Sequence, residues 1–138
     1  MKIRVVGDPP KYAHEGDSGV DLISTETENL WPGETYVFRT GLYVEIPDGY
    51  ELQIRSRSGL AMRGIVVANS PGTIDSGYRG EIGVILHNLN QDGRPHKVCA
   101  GDRIAQAVLS KVEKIEWEVI DTLQETDRGE KGFGSTGI

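Results

Sequence analysis

A single cysteine, Cys99, is the only thiol in a chain of 138 residues. One thiol closes no internal disulfide and builds no multi-thiolate zinc site. Its neighbours Val98 and Ala100 make it a small core residue by expectation rather than a nucleophile. Apolar residues are also scarce, at 37% of the chain, which leaves room for part of the core to lie between subunits. There is no excess of positive charge. The formal net charge of −6 excludes a general nucleic-acid or anionic-membrane binder, because either would present a basic face. A small polyphosphate is not excluded, since a local arginine cluster overrides the global charge. No apolar run approaches membrane-spanning length, and Met1-Lys2-Ile3-Arg4 lacks the apolar stretch of a secretion signal. The expectation is one domain with one core in a soluble, reducing, cytoplasmic setting.

No long stretch carries the 3.6-residue apolar period of a helix, and no internal repeat is present. What the chain does have is punctuation: eighteen glycines and six prolines separate short alternating runs. Tyr36 and Phe38, Leu42 to Ile46, Tyr50 to Arg55, Glu81 to His87 and Arg103 to Val112 read as strands. Trp31-Pro32-Gly33-Glu34, Pro47-Asp48-Gly49 and Asn90-Gln91-Asp92-Gly93 read as turns. This spacing predicts an all-β sandwich or barrel. One turn of helix is expected at Ser58 to Met62, with Ser58 as its cap. From Gln124 onward nearly every residue is polar, charged or glycine, apart from Phe133 and Ile138. Such a segment buries too little apolar area to offset its own ordering entropy. The organisation expected is therefore a core over residues 1–123 and a glycine-rich arm over 124–138. The arm is either a frayed terminus or an element that orders on a ligand.

Five segments carry candidate chemistry. In Gly16-Asp17-Ser18-Gly19-Val20-Asp21-Leu22, a glycine-rich turn enters a strand, and Asp21 alternates with Val20 and Leu22. A carboxylate so placed faces a polar cleft and suits metal-bound water, though the segment is also an ordinary turn and strand. In Arg55-Ser56-Arg57-Ser58-Gly59-Leu60-Ala61, charge, hydroxyl and free backbone N–H groups fit phosphate oxygens; a solvated strand end is the plainer reading. In Asn69-Ser70-Pro71-Gly72-Thr73-Ile74-Asp75-Ser76-Gly77-Tyr78-Arg79-Gly80-Glu81, the Asp75-Ser76-Gly77 composition predicts a hairpin turn. A hairpin edge alternates backbone donors and acceptors, as does the acceptor–donor–acceptor edge of uracil; cytosine reverses part of that pattern. An unpaired polar group then penalises the wrong base. Asp75 is placed to take a proton from an attacking water, and Tyr78 to lie against a sugar with no room for a 2′-hydroxyl. In Gly101-Asp102-Arg103-Ile104-Ala105-Gln106, Gln106 is a neutral donor suited to phosphate. In Arg128-Gly129-Glu130-Lys131-Gly132-Phe133-Gly134-Ser135-Thr136-Gly137, glycines let the backbone wrap a phosphate chain and Ser135 and Thr136 add hydroxyls. Phe133 has no core nearby in sequence and suits stacking on a base. The segment lacks Gly-Lys-[Ser/Thr] and is not a Walker A loop.

Together and in this order the five segments resemble the signature motifs of the trimeric dUTPase family, over Ala13 to Gly137. The resemblance implies a jelly-roll fold and a homotrimer whose active sites lie between subunits. It implies dUTP as substrate and one Mg²⁺ held mainly by the triphosphate and waters, with Asp21 contacting the metal through water. Asp75 would orient and deprotonate the water that attacks the α-phosphorus. Arg57, Ser58, Gly59 and Gln106 would bind phosphates. Asn69 and the backbone from Gly72 through Thr73 and Ile74 to Tyr78 would shape the uracil pocket, with Tyr78 selecting deoxyribose. Arg128, Gly134, Ser135 and Thr136 would close on the phosphates, with Phe133 over the base. Three places depart from the usual pattern. Ser56 stands where proline is frequent, Lys131 adds a charge to the arm, and His14, Glu15 and Asp17 make the first motif unusually acidic.

Two other readings compete. A dCTP deaminase or bifunctional deaminase–pyrophosphatase shares this fold and several motifs, but the Gly-Phe-Gly-Ser-Thr-Gly ending favours the pyrophosphatase. A catalytically weak dUTP-binding regulator is the second, and the intact Asp75, Tyr78 and arm weigh against it.

Overall fold

The computed structural model describes residues 1–137; Ile138, the end of the expected arm, lies outside them. The elements in chain order are β1 (Arg4–Val6), β2 (Val20–Ile23), β3 (Glu28–Leu30), β4 (Thr35–Arg39), β5 (Tyr43–Glu45), β6 (Tyr50–Arg55), α1 (Ser58–Ala61), β7 (Ile65–Val67), β8 (Gly72–Ile74), β9 (Gly83–Asn88), β10 (His96–Val98) and β11 (Arg103–Lys111). A four-stranded sheet in the order β2-β11-β6-β8 and a three-stranded sheet in the order β4-β9-β7 supply most of the core, and the pairs β1-β5 and β10-β3 complete the jelly roll. The all-β expectation holds.

The core forms where one face of each sheet turns inward. Strand β9 alternates without a break, burying Val84, Leu86 and Asn88. From the other sheet Leu22, Ile54, Ile104, Ala105 and Ala107 meet them. Two successive buried residues, Ile104 and Ala105, violate the period of two. The register shift between Arg103 and Ala105 explains this: a bulge takes up one residue and resets which face the next ones use. Beyond the bulge Gln106 points outward again. Cys99 is half-buried rather than a core residue.

The expected hairpin at Asp75-Ser76-Gly77 does not form. Strand β8 pairs with β6, whereas β9 pairs with β4 and β7. Both edges of β9 are occupied, so the chain crosses from one sheet to the other between Ile74 and Gly83. Helix α1 also differs in detail. Arg57 occupies the cap position with no side-chain cap bond, and Ser58 is the first helical residue, which leaves its hydroxyl out of any capping role. The last strand ends at Lys111, and residues 113–137 are exposed. Packing within the single chain thus stops ahead of the change in composition at Gln124.

A clamp fixes the chain where it enters β9. Glu81 accepts hydrogen bonds from the Gly41 N–H at 2.8 Å and from Arg39 Nε and Nη2 at 3.2 and 3.0 Å. Thr40 Oγ1 donates to the Ile82 carbonyl at 2.6 Å, and the Ile82 N–H donates to the Leu42 carbonyl at 2.8 Å. Gly41 has φ +71°, a left-handed conformation that glycine adopts without strain, and this turns its N–H toward Glu81. The Arg39 guanidinium, then the Gly41 N–H, hold the Glu81 carboxyl below the ordinary carboxylate range. A carboxylate lowered in the folded state stabilises fully above its unfolded pKa and loses that contribution as pH falls through the folded one. Glu81 is therefore expected to contribute to acid unfolding below about pH 4.5. Glu81→Gln should lower stability at neutral pH and flatten that acid limb. Denaturant unfolding at fixed protein concentration from neutral pH down to about pH 3 measures this. Two parallel stability curves would remove Glu81 from the clamp.

Candidate active site

Strand β11 lines up three polar side chains. Gln106 lies opposite Asp21 of β2 on one edge and opposite Arg55 of β6 on the other. Directly opposed residues point to the same face of a sheet, so the three form a row. The chain leaving β6 then brings Arg57 back over that row. Its Nε donates to Asp21 Oδ1 at 3.0 Å and its Nη1 to the Arg103 carbonyl at 3.1 Å. Ser58 and Gly59 follow, both exposed. The N–H groups of the first helical turn have no helical partner behind them. Asp21, Arg57, Ser58, Gly59 and Gln106 are thus brought together as the sequence predicts.

The surroundings are basic despite the acidic chain. Arg57, Arg63, Lys97 and Arg103 line a cleft of about 370 Å³ with His96 and Asp102. Burial, then the Arg63 charge, hold the His96 imidazole below its ordinary pKa, while Asp102 pulls the other way. Among the described residues no group of three or more His, Cys, Asp or Glu could enclose a metal ion. The carboxylate of the row is Asp21, with one oxygen engaged by Arg57. That donor set fits magnesium, which keeps several waters and takes one or two carboxylates plus substrate phosphates.

A second group sits elsewhere on the same sheet. Strand β8 is an edge strand, so backbone groups along its outer side take no part in the sheet. Gly72 is buried beneath Asn69; a Cβ at Gly72 would lie 3.0 Å from Asn69 Nδ2. After Thr73 and Ile74 the chain turns at Asp75, with the Tyr78 N–H donating to the Asp75 carbonyl at 3.1 Å. Arg79 Nη1 closes the turn on the carbonyls of Ser76 and Tyr78. Asp75 and Tyr78 remain exposed. Tyr78 Oη donates to the Glu81 carbonyl at 2.9 Å.

The two groups do not meet within one chain. Ile74 lies opposite Leu52, so Asp75 continues toward Glu51, whereas the polar row lies at Arg55. Four residues of strand separate them, roughly 13 Å along the sheet. Among the described residues the arm joins neither group through hydrogen bonds. Those of residues 124–137 close within the segment, as in Arg128 Nε to the Lys131 carbonyl at 2.9 Å. Gly134, Ser135 and Thr136 are exposed, and Phe133 projects fully into solvent.

Sequence reasoning missed Arg39, which has no motif around it and whose role depends on Glu81, 42 positions away. It also undervalued Ser56. The Ser56 Oγ accepts from the Val67 N–H at 2.8 Å, and the Ser56 N–H donates to Ser70 Oγ at 3.3 Å. The residue that departs from the common pattern therefore stitches the arginine segment to the turn leading into Gly72.

The dUTPase family model matches residues 7–137. A deoxyuridine 5'-triphosphate nucleotidohydrolase of Crocosphaera subtropica is 52% identical over 130 residues, covering 94% of this chain and 90% of that protein. A protein of the same name from Picosynechococcus is 54% identical over 129 residues, covering 93% and 89%. Among solved structures, the dUTPase of Staphylococcus bacteriophage 80alpha with dUPNHPP matches with a TM-score of 0.86 at 30% identity, covering 99% of each chain. A mutant dUTPase from phage phi11 of S. aureus, described with a structural Mg(II) ion, matches at 0.79 and 26% identity, covering 88% of this chain and 98% of that one. All five segments that carry the site residues fall inside the matched span, and the chain belongs to the dUTPase family.

Proposed function

We propose that this protein hydrolyses dUTP to dUMP and pyrophosphate by magnesium-assisted attack of water on the α-phosphorus, in sites shared between the subunits of a homotrimer. The reaction supplies dUMP and limits uracil incorporation into DNA. The observation that carries the reading is the division of one sheet into two half-sites. A basic, phosphate-suited row lies at one end, and a base-reading edge with an exposed carboxylate at the other.

Each residue then has a task. Arg57, Ser58, Gly59 and Gln106 bind the phosphates, and Arg57 exchanges its Asp21 partner for phosphate oxygen as substrate enters. That exchange frees the Asp21 carboxylate to hold magnesium through water. Magnesium held there would neutralise charge on the triphosphate. The outer edge of β8 from Gly72 through Ile74, with Asn69, pairs with uracil through backbone donors and acceptors. Tyr78 walls off the 2′ position, and Asp75 accepts the proton of the attacking water. Arg128, Gly134, Ser135 and Thr136 fold over the phosphates and Phe133 over the base. Catalysis then rests on positioning and proton transfer, with no covalent intermediate.

The register supports assembly from several copies, since a single chain keeps Asp75 and the row of Asp21, Gln106 and Arg55 apart. Ile115, Trp117 and Val119 support it. They recur at every second position in a stretch with no secondary structure of its own, all exposed, a sequence pattern that suits a strand partnered by another chain. The arm beyond Leu123 would then serve a neighbour's site.

Turnover of dUTP but not UTP, with pyrophosphate release that needs magnesium, is the expected result of a direct assay. Equal efficiency on UTP would sink the assignment of Tyr78, and ammonia release from dCTP would favour a deaminase. Asp75→Asn should bind nucleotide and assemble normally while losing roughly 10²–10⁴-fold in rate; a folded variant with full turnover would refute the proton-accepting role. Sharing between chains is tested by mixing Asp75→Asn with a chain truncated before Arg128, each inactive alone. Random assortment should restore about a quarter of the sites, because some receive their aspartate and arm from different parents. Mixed trimers, verified by mass spectrometry, that stay inactive would place both elements on one subunit.

A further inference from the structure

We infer that Arg39 and Glu81 are positioning residues for sugar selection: through the Glu81 main chain and Gly80 they hold the Tyr78 ring where it excludes a ribose. This rests on the reading of Tyr78 given above. Rejection by clash is limited by the energy needed to move the wall, so a tyrosine free to swing aside discriminates poorly. Tyr78 is 42% exposed and lies in a turn between two sheets, where nothing in its own strand pairing restrains it.

Three contacts do restrain it. The phenol donates to the Glu81 carbonyl at 2.9 Å. The ring lies against Gly80 so closely that a Cβ there would sit 2.6 Å from Tyr78 Cζ. The residue that supplies this carbonyl is itself tethered, its side chain held by the Arg39 fork and the Gly41 N–H. Arg39 is anchored in turn. Its N–H donates to Glu26 Oε1 at 3.1 Å, and its carbonyl accepts from the Thr25 N–H at 2.9 Å. The restraint thus runs from the turn after β2, through the last residue of β4, to the ring. A Cβ at position 80 would occupy the space the phenol now fills and push it away.

The test is steady-state kinetics on the intact enzyme with dUTP and UTP, read as the ratio of the two kcat/KM values. Arg39→Ala and Glu81→Gln should each lower that ratio roughly three- to tenfold, the range of one lost hydrogen-bond restraint. The loss should come mainly from a gain on UTP. Gly80→Ala should do the same without touching the ion pair. Tyr78→Phe, which deletes the phenol anchor, should lower the ratio too, and Arg39→Ala added to it should cost nothing further. A folded Arg39→Ala or Glu81→Gln enzyme with an unchanged ratio overturns the proposal. So does a variant whose dUTP and UTP efficiencies fall equally, since that is general damage rather than loosened selection. Should Arg39→Ala not fold, Glu81→Gln and Gly80→Ala decide the matter. Tyr78→Ala separates the two layers. If it abolishes selectivity while the Arg39 and Glu81 variants keep it, only the positioning role fails. If Tyr78→Ala itself keeps full selectivity, the sugar-wall reading fails and the positioning role with it.

Discussion

Strand β11 is hydrogen-bonded along both edges, to β2 and to β6, and it does two jobs that conflict in a regular strand. It must bury Ile104, Ala105 and Ala107 in the core, and it must present Gln106 beside Asp21 on the open face. A strict alternation places Ile104 and Gln106 together on one side. The bulge at the start of β11 removes the conflict at the cost of one irregular residue. With it in place, Asp21, Gln106 and Arg55 share a row, and Arg57 only has to fold back across them. The core and the polar face that carries Asp21 and Gln106 therefore depend on the same local irregularity.

Much of this was legible in the sequence because it is local. The alternation in Tyr50 to Arg55 and in Glu81 to His87, between turn signals, marks β6 to the residue and β9 to within two residues. Strands β1, β3 and β10 have three residues each, too few for any period to show. The composition of Asp75-Ser76-Gly77 states that the chain turns but not where it goes. The destination depended on which strand edges were already occupied, and that is decided by contacts distant in sequence. Ser58 was read as a cap because serine suits that position, yet Arg57 occupies it. The pairing of Arg39 with Glu81 had no local signature at all. Of the site, the segments that carry the group of Asp21, Arg57 and Gln106 and the group of Gly72, Asp75 and Tyr78 could be read in advance. Their separation along the sheet could not, since it is a property of register.

Charge is handled in the same distributed way. The chain is acidic overall, yet Arg57, Arg63, Lys97 and Arg103 gather around one cleft. A polyanion approaching from a distance meets weak repulsion, while within a screening length of about 8–10 Å it meets a positive field. Four clustered cations on a chain of net charge −6 suit a short triphosphate better than a long polyanion such as nucleic acid.

The two hydrogen bonds made by Ser56 have an evolutionary side. A proline at that position has no N–H to offer Ser70 and no hydroxyl to receive Val67. It would stiffen the segment by restricting φ before folding, whereas serine stiffens it by bonds formed during folding. The two residues reach a similar loop by opposite routes, one by limiting the disordered chain and one by tethering the ordered one. Exchanging serine for proline leaves the exposed Ser70 hydroxyl to water, whereas the Val67 N–H, which is part-buried, loses the hydroxyl that receives it.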